Sequence, residues 1–257
     1  MNKYHDLDRL ERVDVLIPAY NEEESLPETL RQLLAWREGG AKARLSAMGA
    51  RLGRVLVVDN GSEDATAEVA KAGGAEVVTC LQRGYGSACL AGIEALKTDP
   101  PSALCFMDAD GADDPRDLPV LLTPLLRGAE LVIGSRVRLA EPGSLTPVQR
   151  FGNALSCELL KRCFGVEHSD LGPFRVTSWA ALERLEMADR DFGWTVEMQA
   201  KAARRGLKIS EVSVRYRPRR AGVSKVSGQL KGSALAGYKI LSTIGKEWLK
   251  DKLEPKL

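Results

Sequence analysis

The sequence predicts an α/β fold in which a mainly parallel central sheet is covered by helices on both faces. Three observations lead to this prediction. Through the first 135 residues, nearly all-apolar segments of strand length alternate with amphipathic segments of helix length. At 257 residues, with 44% hydrophobic and 28% charged residues, the chain has the size and composition of one large soluble domain. Finally, no apolar run approaches the roughly 20 residues that span a bilayer.

Turn and capping residues set the boundaries of the elements in the amino-terminal half. Ser25 and Pro27 are typical of a helix start, and we expect Ser62 to cap the helix that follows the second strand. The predicted strands cover residues 13–18, 54–59, 74–79, 103–107 and 130–133. The predicted helices cover residues 22–34, 63–72, 87–97 and 118–126. In such sheets ligands bind beyond the carboxyl ends of the strands, so residues at those ends are site candidates.

The pattern is looser after residue 135. We predict helices over residues 147–164 and 195–205, a Gly/Pro turn over 169–175, and a strand over 208–216. An insertion at 37–51, rich in Ala, Gly and Arg, is expected to be a surface extension of a helix.

The carboxyl-terminal part of the chain is basic. Residues 201–257 carry 15 Lys and Arg against 4 Asp and Glu, a net of +11, whereas the first 200 residues have a net of −9. On a helical projection of residues 229–250 one face carries apolar side chains and the other carries lysines. The apolar set is Leu230, Ala234, Leu241, Ile244 and Trp248, and the lysines are Lys239, Lys246 and Lys250. This helix is expected either to contact a membrane surface or to pack on the core.

The numbers of cysteines and histidines indicate the cellular compartment and bear on whether a zinc site is expected. The five cysteines form no CxxC pair, so we expect reduced thiols in a cytoplasmic protein. With two histidines, a zinc site based on histidine is not expected. The amino terminus is polar and acidic, unlike a signal peptide. We expect a cytoplasmic protein, peripheral at the inner face of the membrane.

Asp108 and Asp110 follow an apolar strand directly and are the first functional candidates. If the strand persisted to them, the two carboxylates would point to the same side. Two like charges side by side are unfavourable without a cation between them, and Mg²⁺ or Mn²⁺ prefers oxygen ligands and accompanies diphosphates. An acidic turn after a strand is also common on ordinary surfaces, so this pair alone is weak evidence.

Six motifs together resemble the inverting family 2 glycosyltransferases, which have the Rossmann-like GT-A fold. They are Pro18-Ala19-Tyr20-Asn21-Glu22, Asp59-Asn60-Gly61-Ser62, Arg83-Gly84-Tyr85-Gly86, Asp108-Ala109-Asp110, Asp170 to Arg175, and Arg219-x-x-Gly-x-Ser-Lys225. The last two, with Gly134-Ser135-Arg136, are similar to the dolichol-phosphate mannosyltransferase branch and its bacterial polyprenyl-phosphate relatives. We expect a catalytic domain over residues 1–228 and a basic amphipathic tail over 229–257.

The resemblance implies roles in binding the donor. Asp110 would ligate Mg²⁺ or Mn²⁺, with Asp108 in the metal shell or on the ribose, and Asp59 would accept a hydrogen bond from the base. The alternative for Asp59 is a carboxylate that binds backbone amides at a helix start. The residues expected to line the nucleotide pocket are Pro18, Ala19, Tyr20, Glu22, Gly84 and Gly86, although the two glycines also suit an ordinary turn.

Basic residues and one glutamate are the candidates for phosphate binding and catalysis. The resemblance implies phosphate contacts for Arg136, Arg175, Arg219, Ser224 and Lys225, the last three in a loop that closes over the substrates. Glu197 stands where relatives that glycosylate hydroxyls carry a general base. A phosphate acceptor is largely ionised at neutral pH and needs no base; Glu197 would then orient the sugar or hold a helix in place.

The expected function is therefore transfer of a sugar from a UDP- or GDP-linked donor to an acceptor, most simply a polyprenyl phosphate. Two departures from the relatives leave the acceptor open: Asn60 replaces an aspartate, and Pro173 lengthens the usual Gly-Phe-Arg. The first alternative is a hydroxyl acceptor on a glycan, metabolite or protein, with Glu197 as base. The second is a non-catalytic nucleotide-binding subunit. A nucleotidyltransferase would show a Gly-rich, Lys-containing loop after the first strand, which this chain lacks. Nucleic acid is not an expected partner.

Overall fold

The computed structural model describes residues 10–220 and 230–253, which form one seven-stranded sheet with helices on both faces. The strand order is β3-β2-β1-β4-β6-β5-β7, and β6 alone runs antiparallel to its two neighbours. The strands are β1 Leu10–Ala19, β2 Ala50–Asp59, β3 Glu76–Thr79, β4 Ala103–Phe106, β5 Leu131–Ser135, β6 Arg175–Ser178 and β7 Ile209–Ser213. The prediction of a mainly parallel sheet is confirmed.

Helices follow the strands in the predicted alternation. They are α1 Leu26–Leu34, α2 Gly39–Ala47, α3 Thr66–Ala72, α4 Tyr85–Leu96, α5 Leu118–Leu126, α6 Pro147–Phe164, α7 Trp179–Leu185, α8 Trp194–Arg204 and α9 Leu230–Leu253. The insertion at 37–51 forms α2 and the start of β2. Within the described residues, none of the helices has the length and apolar character that crossing a membrane requires.

Three apolar clusters hold the layers together. Side chains from one face of the sheet pack with α1, α2, α3 and α5, and those from the other face pack with α4, α7 and α8. Alternate residues of β1 show this division, since Val15 and Ile17 join the first cluster and Leu16 joins the second. A third cluster joins α6, α9 and the outer side of α8.

Two features of the amino-terminal half differ from expectation. Helix α3 begins at Thr66, and Ser62 does not cap it. The Ser62 hydroxyl instead accepts the Asn21 N–H at 3.0 Å, and the Ser62 N–H donates to Asp59 Oδ1 at 3.0 Å. Strand β4 ends at Phe106, so it does not persist to the two aspartates.

Strand β6 and helix α7 were not predicted. Arg175–Ser178 is a four-residue strand in which only Val176 is apolar, so its sequence has no strand pattern. It becomes a strand because β4 and β5 leave space for it between them.

Helix α9 packs on the core with a different face from the one predicted. Ala236, Thr243, Ile244 and Glu247 are buried against the helices beneath it. Leu241 and Trp248, which we placed with Ile244 on one apolar face, are exposed. The helix therefore has a packed side and an exposed side that still carries apolar residues.

Candidate active site

The carboxyl ends of β1, β2 and β4 lie side by side and open into a cavity of about 840 Å³. Nine of the predicted site residues line it: Pro18, Ala19, Tyr20, Glu22, Gly84, Asp108, Asp110, Arg136 and Arg219. Asp59, Gly86, Arg175 and Glu197 are not among the lining residues. Ser224 and Lys225 lie outside the described residues, so the predictions for them are untested.

Asp108 and Asp110 lie in the loop after β4 and face the cavity. The Asp108 N–H donates to Asp113 Oδ2 at 3.2 Å, and Asp110 Oδ1 accepts the Ala112 N–H at 3.0 Å. Burial, together with the nearby charge of Asp110, raises the pKa of Asp108 to about 7. The loop therefore brings the two carboxylates close enough to repel each other, although the strand itself ends before them.

The donor set fits a divalent cation that arrives with a diphosphate. Asp108 Oδ1 is buried without a hydrogen-bond partner in the described part of the chain, so it has capacity for a ligand. Within that part no cluster of three or more His, Cys, Asp or Glu is arranged to hold a metal alone. Mg²⁺ is commonly bound by one or two carboxylates, with water and substrate phosphates completing its shell. The two aspartates meet that requirement.

Arg219 bridges the two sides of this carboxylate group. Its Nη1 donates to Glu22 Oε1 at 2.8 Å, and its Nη2 lies 3.3 Å from Asp110 Oδ2. Partial burial acts to lower the pKa of Arg219, but the negative charges of Asp110 and Glu22 outweigh it and raise that pKa above its ordinary value. The guanidinium is thus a fixed positive charge beside the predicted metal ligand.

Arg219 is the last of three alternating arginines that pair with residues 108–117, the segment between β4 and α5 that we call the acidic loop. Arg215 contacts Asp117 at 3.0 Å, and Arg217 contacts Asp114. We call Arg215, Arg217 and Arg219 the arginine row. Backbone bonds reinforce it, because the Arg217 N–H donates to the Ala112 carbonyl at 2.9 Å. Side chains two apart in an extended segment share one side, which explains the spacing.

Arg136 lines the cavity and is held by Asp170. Its Nε and Nη2 bind the Asp170 carboxylate at 2.8 and 2.7 Å, and its guanidinium lies 5.0 Å from the centre of the Tyr216 ring. Burial opposes the shift, but the hydrogen bonds and charge of Asp170 raise the pKa of Arg136. Asp170 therefore sets the position of the Arg136 guanidinium. The contact of Arg136 with phosphate stays a prediction.

The structure places Arg175, a predicted phosphate contact, away from the residues that line the cavity. The side chain is fully buried and points into the fold. Its three nitrogens donate to backbone carbonyls, among them Gly172 at 3.0 Å and Thr195 at 3.0 Å. Burial lowers the pKa of Arg175 to about 10, so it stays charged at neutral pH. Arg175 therefore holds the turn after Asp170 against α8.

The structure places Glu197 inside the protein and not among the residues that line the cavity. The carboxylate is 4% exposed, and Lys201 Nζ lies 2.8 Å from its Oε1. It accepts the N–H of Ala188 at 3.1 Å and that of Asp189 at 2.8 Å. With both oxygens engaged inside the protein, Glu197 holds the segment 186–193, which we call the α7–α8 loop.

The two glycines of the Arg83-Gly84-Tyr85-Gly86 motif accommodate this loop. A Cβ on Gly84 would lie 2.1 Å from the Arg190 carbonyl oxygen, and one on Gly86 would lie 2.0 Å from that of Asp189. Gly84 also has φ +129°, which side chains rarely adopt. Gly86 is not among the residues that line the cavity, and its close neighbour is the backbone of the α7–α8 loop.

Asp59 and Asn60 connect the ends of β1, β2 and β3. Asp59 Oδ1 accepts the Ser62 N–H, which matches the alternative of a carboxylate bound to backbone amides. Asn60 donates to the carbonyls of Cys80 at 3.0 Å and Gln82 at 2.7 Å and accepts the Gly84 N–H at 2.9 Å. An aspartate could not donate the first two bonds, which accounts for the amide at this position.

Several cavity residues were missed from the sequence. Arg83 lies over the Tyr20 ring, 4.0 Å from its centre, and Asp191 reaches the cavity from the α7–α8 loop. An apolar wall is formed by Val148, Phe151, Leu155, Pro173 and Ile240. The first three have helical spacing at the start of α6, a signal that was available but is shared by any amphipathic helix.

Comparisons with known sequences agree with this geometry. The model of the family described as Glycosyl transferase family 2 matches residues 14–176. An uncharacterized glycosyltransferase of Mycobacterium tuberculosis is 40% identical over 225 residues, covering 87% of this chain and 94% of the relative. An undecaprenyl-phosphate mannosyltransferase of Micrococcus luteus is 34% identical over 238 residues, covering 87% and 91%.

A solved structure shares the fold. Glucosyl-3-phosphoglycerate synthase from Mycobacterium tuberculosis, in complex with Mn²⁺, UDP-glucose and phosphoglyceric acid, superposes with a TM-score of 0.72. The match covers 93% of this chain and 80% of that one at 21% sequence identity. At this identity the likeness concerns the fold alone.

Proposed function

This chain belongs to glycosyl transferase family 2, and we propose that it moves a sugar from a UDP- or GDP-linked donor to a polyprenyl phosphate. Its sheet and helices have the GT-A fold that the sequence resemblance implied. The observation that carries the choice of acceptor is the apolar wall, because it shares one cavity with the carboxylates and arginines. A lipid phosphate has a charged head and an apolar chain, which match these two parts.

For the donor, we propose that Asp110 and Asp108 hold Mg²⁺ or Mn²⁺ together with diphosphate oxygens. Once bound, the ion would offset the charge that develops on the leaving diphosphate. Pro18, Ala19, Tyr20, Glu22 and Gly84 would contact the nucleotide, as the resemblance implies. Arg219 would turn from Glu22 and Asp110 toward the diphosphate, since a guanidinium binds phosphate oxygens well. Asp59 remains our proposal for base recognition through its second oxygen.

For the acceptor, we propose that the phosphate attacks the anomeric carbon from the side opposite the diphosphate, with inversion. A phosphate monoester is largely ionised at neutral pH, so this attack needs no general base. The buried, paired state of Glu197 supports a reaction without that base. Arg136, and by the resemblance Ser224 and Lys225, would bind the acceptor phosphate.

We further propose that the protein contacts the membrane surface through residues 229–250 and the exposed start of α6. Tyr238, Leu241 and Trp248 of α9 and Phe151 of α6 are exposed apolar side chains, and Lys246 and Lys250 are exposed cations. A polyprenyl phosphate would then pass from the bilayer into the cavity along the apolar wall.

The donor half is tested by thermal unfolding with UDP, GDP, UDP-glucose and GDP-mannose, each with Mn²⁺ or with EDTA. One nucleotide should raise the melting temperature with Mn²⁺, and EDTA or Asp110→Asn should remove most of that rise. Asp99→Asn is the control, since Asp99 lies outside the cavity. No stabilisation by any nucleotide would contradict the donor proposal.

The acceptor half is tested with the stabilising donor and three acceptors: a phosphopolyprenol, the matching polyprenol and phosphoglycerate. We expect product only from the phosphopolyprenol. Transfer to phosphoglycerate or the free alcohol, with none to the phosphopolyprenol, would contradict the lipid-phosphate proposal and favour a hydroxyl acceptor.

A further inference from the structure

Asp191 places a carboxylate in the cavity that the functions proposed so far do not use. It lies in the α7–α8 loop, is half-buried, and lines the cavity with Phe192 and Thr195. Among the side chains of residues 10–220 and 236–253, its carboxylate has neither an ion pair nor a hydrogen-bond partner, whereas Glu22 and Asp110 are both bridged by Arg219. A half-buried charge in this state has hydrogen-bonding capacity available to a ligand.

The backbone that carries Asp191 is fixed from three directions. The Asp189 carboxylate accepts the N–H of Asp191 at 2.8 Å and that of Gly193 at 3.1 Å. Glu197 holds the preceding N–H groups, as described above. From α4, Ser87 donates its N–H and its hydroxyl to the Arg190 carbonyl at 2.9 and 3.1 Å. The Asp191 side chain is therefore held in position by bonds that its own carboxylate does not make.

The negative charge of Asp191 limits which chemical group of the donor or the acceptor can lie beside it. A carboxylate repels both the diphosphate and a lipid phosphate. The cavity arginines have other partners, since Arg136 is bound to Asp170 and Arg83 contacts Tyr20 and Glu63. The nucleoside also carries N–H and hydroxyl donors, but the proposed donor pose places it against Asp59 and the residues that follow β1. The remaining polar part of a nucleoside-diphosphate sugar is the transferred sugar, whose hydroxyl groups donate strong hydrogen bonds to a carboxylate.

We infer that Asp191 binds hydroxyl groups of the transferred sugar and is a specificity-determining residue for the donor. This inference rests on the proposed donor chemistry and is independent of the acceptor. A site that binds a substrate hydroxyl through a charge shielded by the bound ligand discriminates against an analogue without that hydroxyl, because the charge is then left without a partner.

The test compares Asp191→Ala and Asp191→Asn with the unsubstituted protein by calorimetric titration with Mn²⁺. The titrants are UDP, UDP-glucose, GDP and GDP-mannose, and each is measured without acceptor. Glu186→Gln is the matched control, because it removes one charge from the same loop outside the cavity. Melting temperatures of all variants establish that each one is folded.

We expect Asp191→Ala to weaken binding of the nucleotide sugar roughly 10- to 100-fold and to leave the free nucleotide within about twofold. Asp191→Asn should lose less, since an amide oxygen still accepts a hydrogen bond. Titration with nucleotide sugars that lack one sugar hydroxyl group should identify the hydroxyl that Asp191 binds. At least one of them should bind much more weakly than the parent sugar in the unsubstituted protein and about equally in Asp191→Ala.

The contrary outcomes are distinct. Equal loss for nucleotide and nucleotide sugar, or no loss, would overturn the role of Asp191. So would unchanged donor binding with a turnover pH profile that loses its acidic limb in Asp191→Asn, because that result would make Asp191 a general base. If the unsubstituted protein bound no nucleotide, the donor chemistry itself would be wrong. An error about polyprenyl phosphate would leave these titrations unaffected.

Discussion

The acidic side chains around the cavity have two different kinds of partner. The carboxylate oxygens of Glu197 and Asp189 accept hydrogen bonds from backbone N–H groups of the α7–α8 loop. Asp108, Asp110 and Asp191 instead line the cavity, where a bound ligand can reach them. Burial and pairing, rather than residue type, decide which carboxylates take part in binding.

Glu197→Gln tests this division at the first site. We expect the free energy of unfolding to fall by about 2 to 3 kcal/mol, because Lys201 would lose its buried anionic partner. Chemical denaturation measures the change, and Glu183→Gln on the exposed side of α7 should stay within about 0.5 kcal/mol. A variant of unchanged stability whose turnover fell more than a thousandfold would instead restore the general-base role.

At the scale of elements, the arginine row and the acidic loop form one unit. Asp114 lies at its centre and is completely buried, with contacts to Arg116 at 2.9 Å and Arg215 at 3.3 Å. Burial opposes the shift, but these cations and Arg217 hold the pKa of Asp114 at about 2, below its ordinary 3.8. The arginine row, which precedes the predicted loop with Ser224 and Lys225, is thereby held against the loop that carries Asp110.

The lowered pKa of Asp114 gives a pH dependence with a definite sign. The folded state binds its proton less readily than the unfolded state, so the stabilisation is full above about pH 4 and is lost as the pH falls toward 2. Asp114→Asn should lower the free energy of unfolding by about 2 kcal/mol at pH 7, with a difference that shrinks below pH 4. Urea unfolding between pH 3 and 7 measures this, with Glu63→Gln as an exposed control. A difference independent of pH would contradict the role of the charge.

The junction between α4 and the α7–α8 loop is a second unit. Gly86→Ala would place a methyl group 2.0 Å from the Asp189 carbonyl oxygen, so the loop must move. We expect a loss of about 1 to 3 kcal/mol in stability and a weaker affinity for the nucleotide sugar. Gly245→Ala in α9 is the control, because its Cβ has no atom within 4 Å. The control should be neutral or up to about 1 kcal/mol more stable. Equal effects in both variants would argue against the packing explanation.

For the whole molecule, the regular part of the fold was predictable and the irregular part was not. The bounds of α5 and α6 follow directly from apolar spacing and the Pro residues in their first turns. Strand β6 is short and polar, so only its place between β4 and β5 makes it a strand. The position of Asp108 and Asp110 directly after an apolar segment was likewise enough to predict that they lie at the site. Position in the sequence has a limit. It could not reveal that Arg175 and Glu197 face inward, because burial depends on residues far away in the chain.

The surface beside the cavity mouth predicts how the protein sits on a membrane. Phe151 and Val148 of α6 are 71% and 62% exposed, and Tyr238 of α9 is 70% exposed, although all three are apolar or amphipathic. The exposed Arg150, Lys246 and Lys250 belong to the same two helices. Apolar side chains with nearby cations favour the surface of an anionic bilayer.

Co-sedimentation with vesicles containing anionic lipid tests this surface. We expect the full chain to bind, and the double variant Phe151→Ser with Tyr238→Ser to weaken binding about tenfold, since partial burial of the two aromatic rings in the interface contributes ~1.4 kcal/mol together. Val120→Ser on α5, on the other side of the sheet, should bind as the unsubstituted protein does. Binding should also weaken in high salt, because the cations act through screened charges. Failure of the unsubstituted chain to sediment with any vesicle would contradict the membrane contact, and the lipid-phosphate acceptor would then have to reach the cavity by another route.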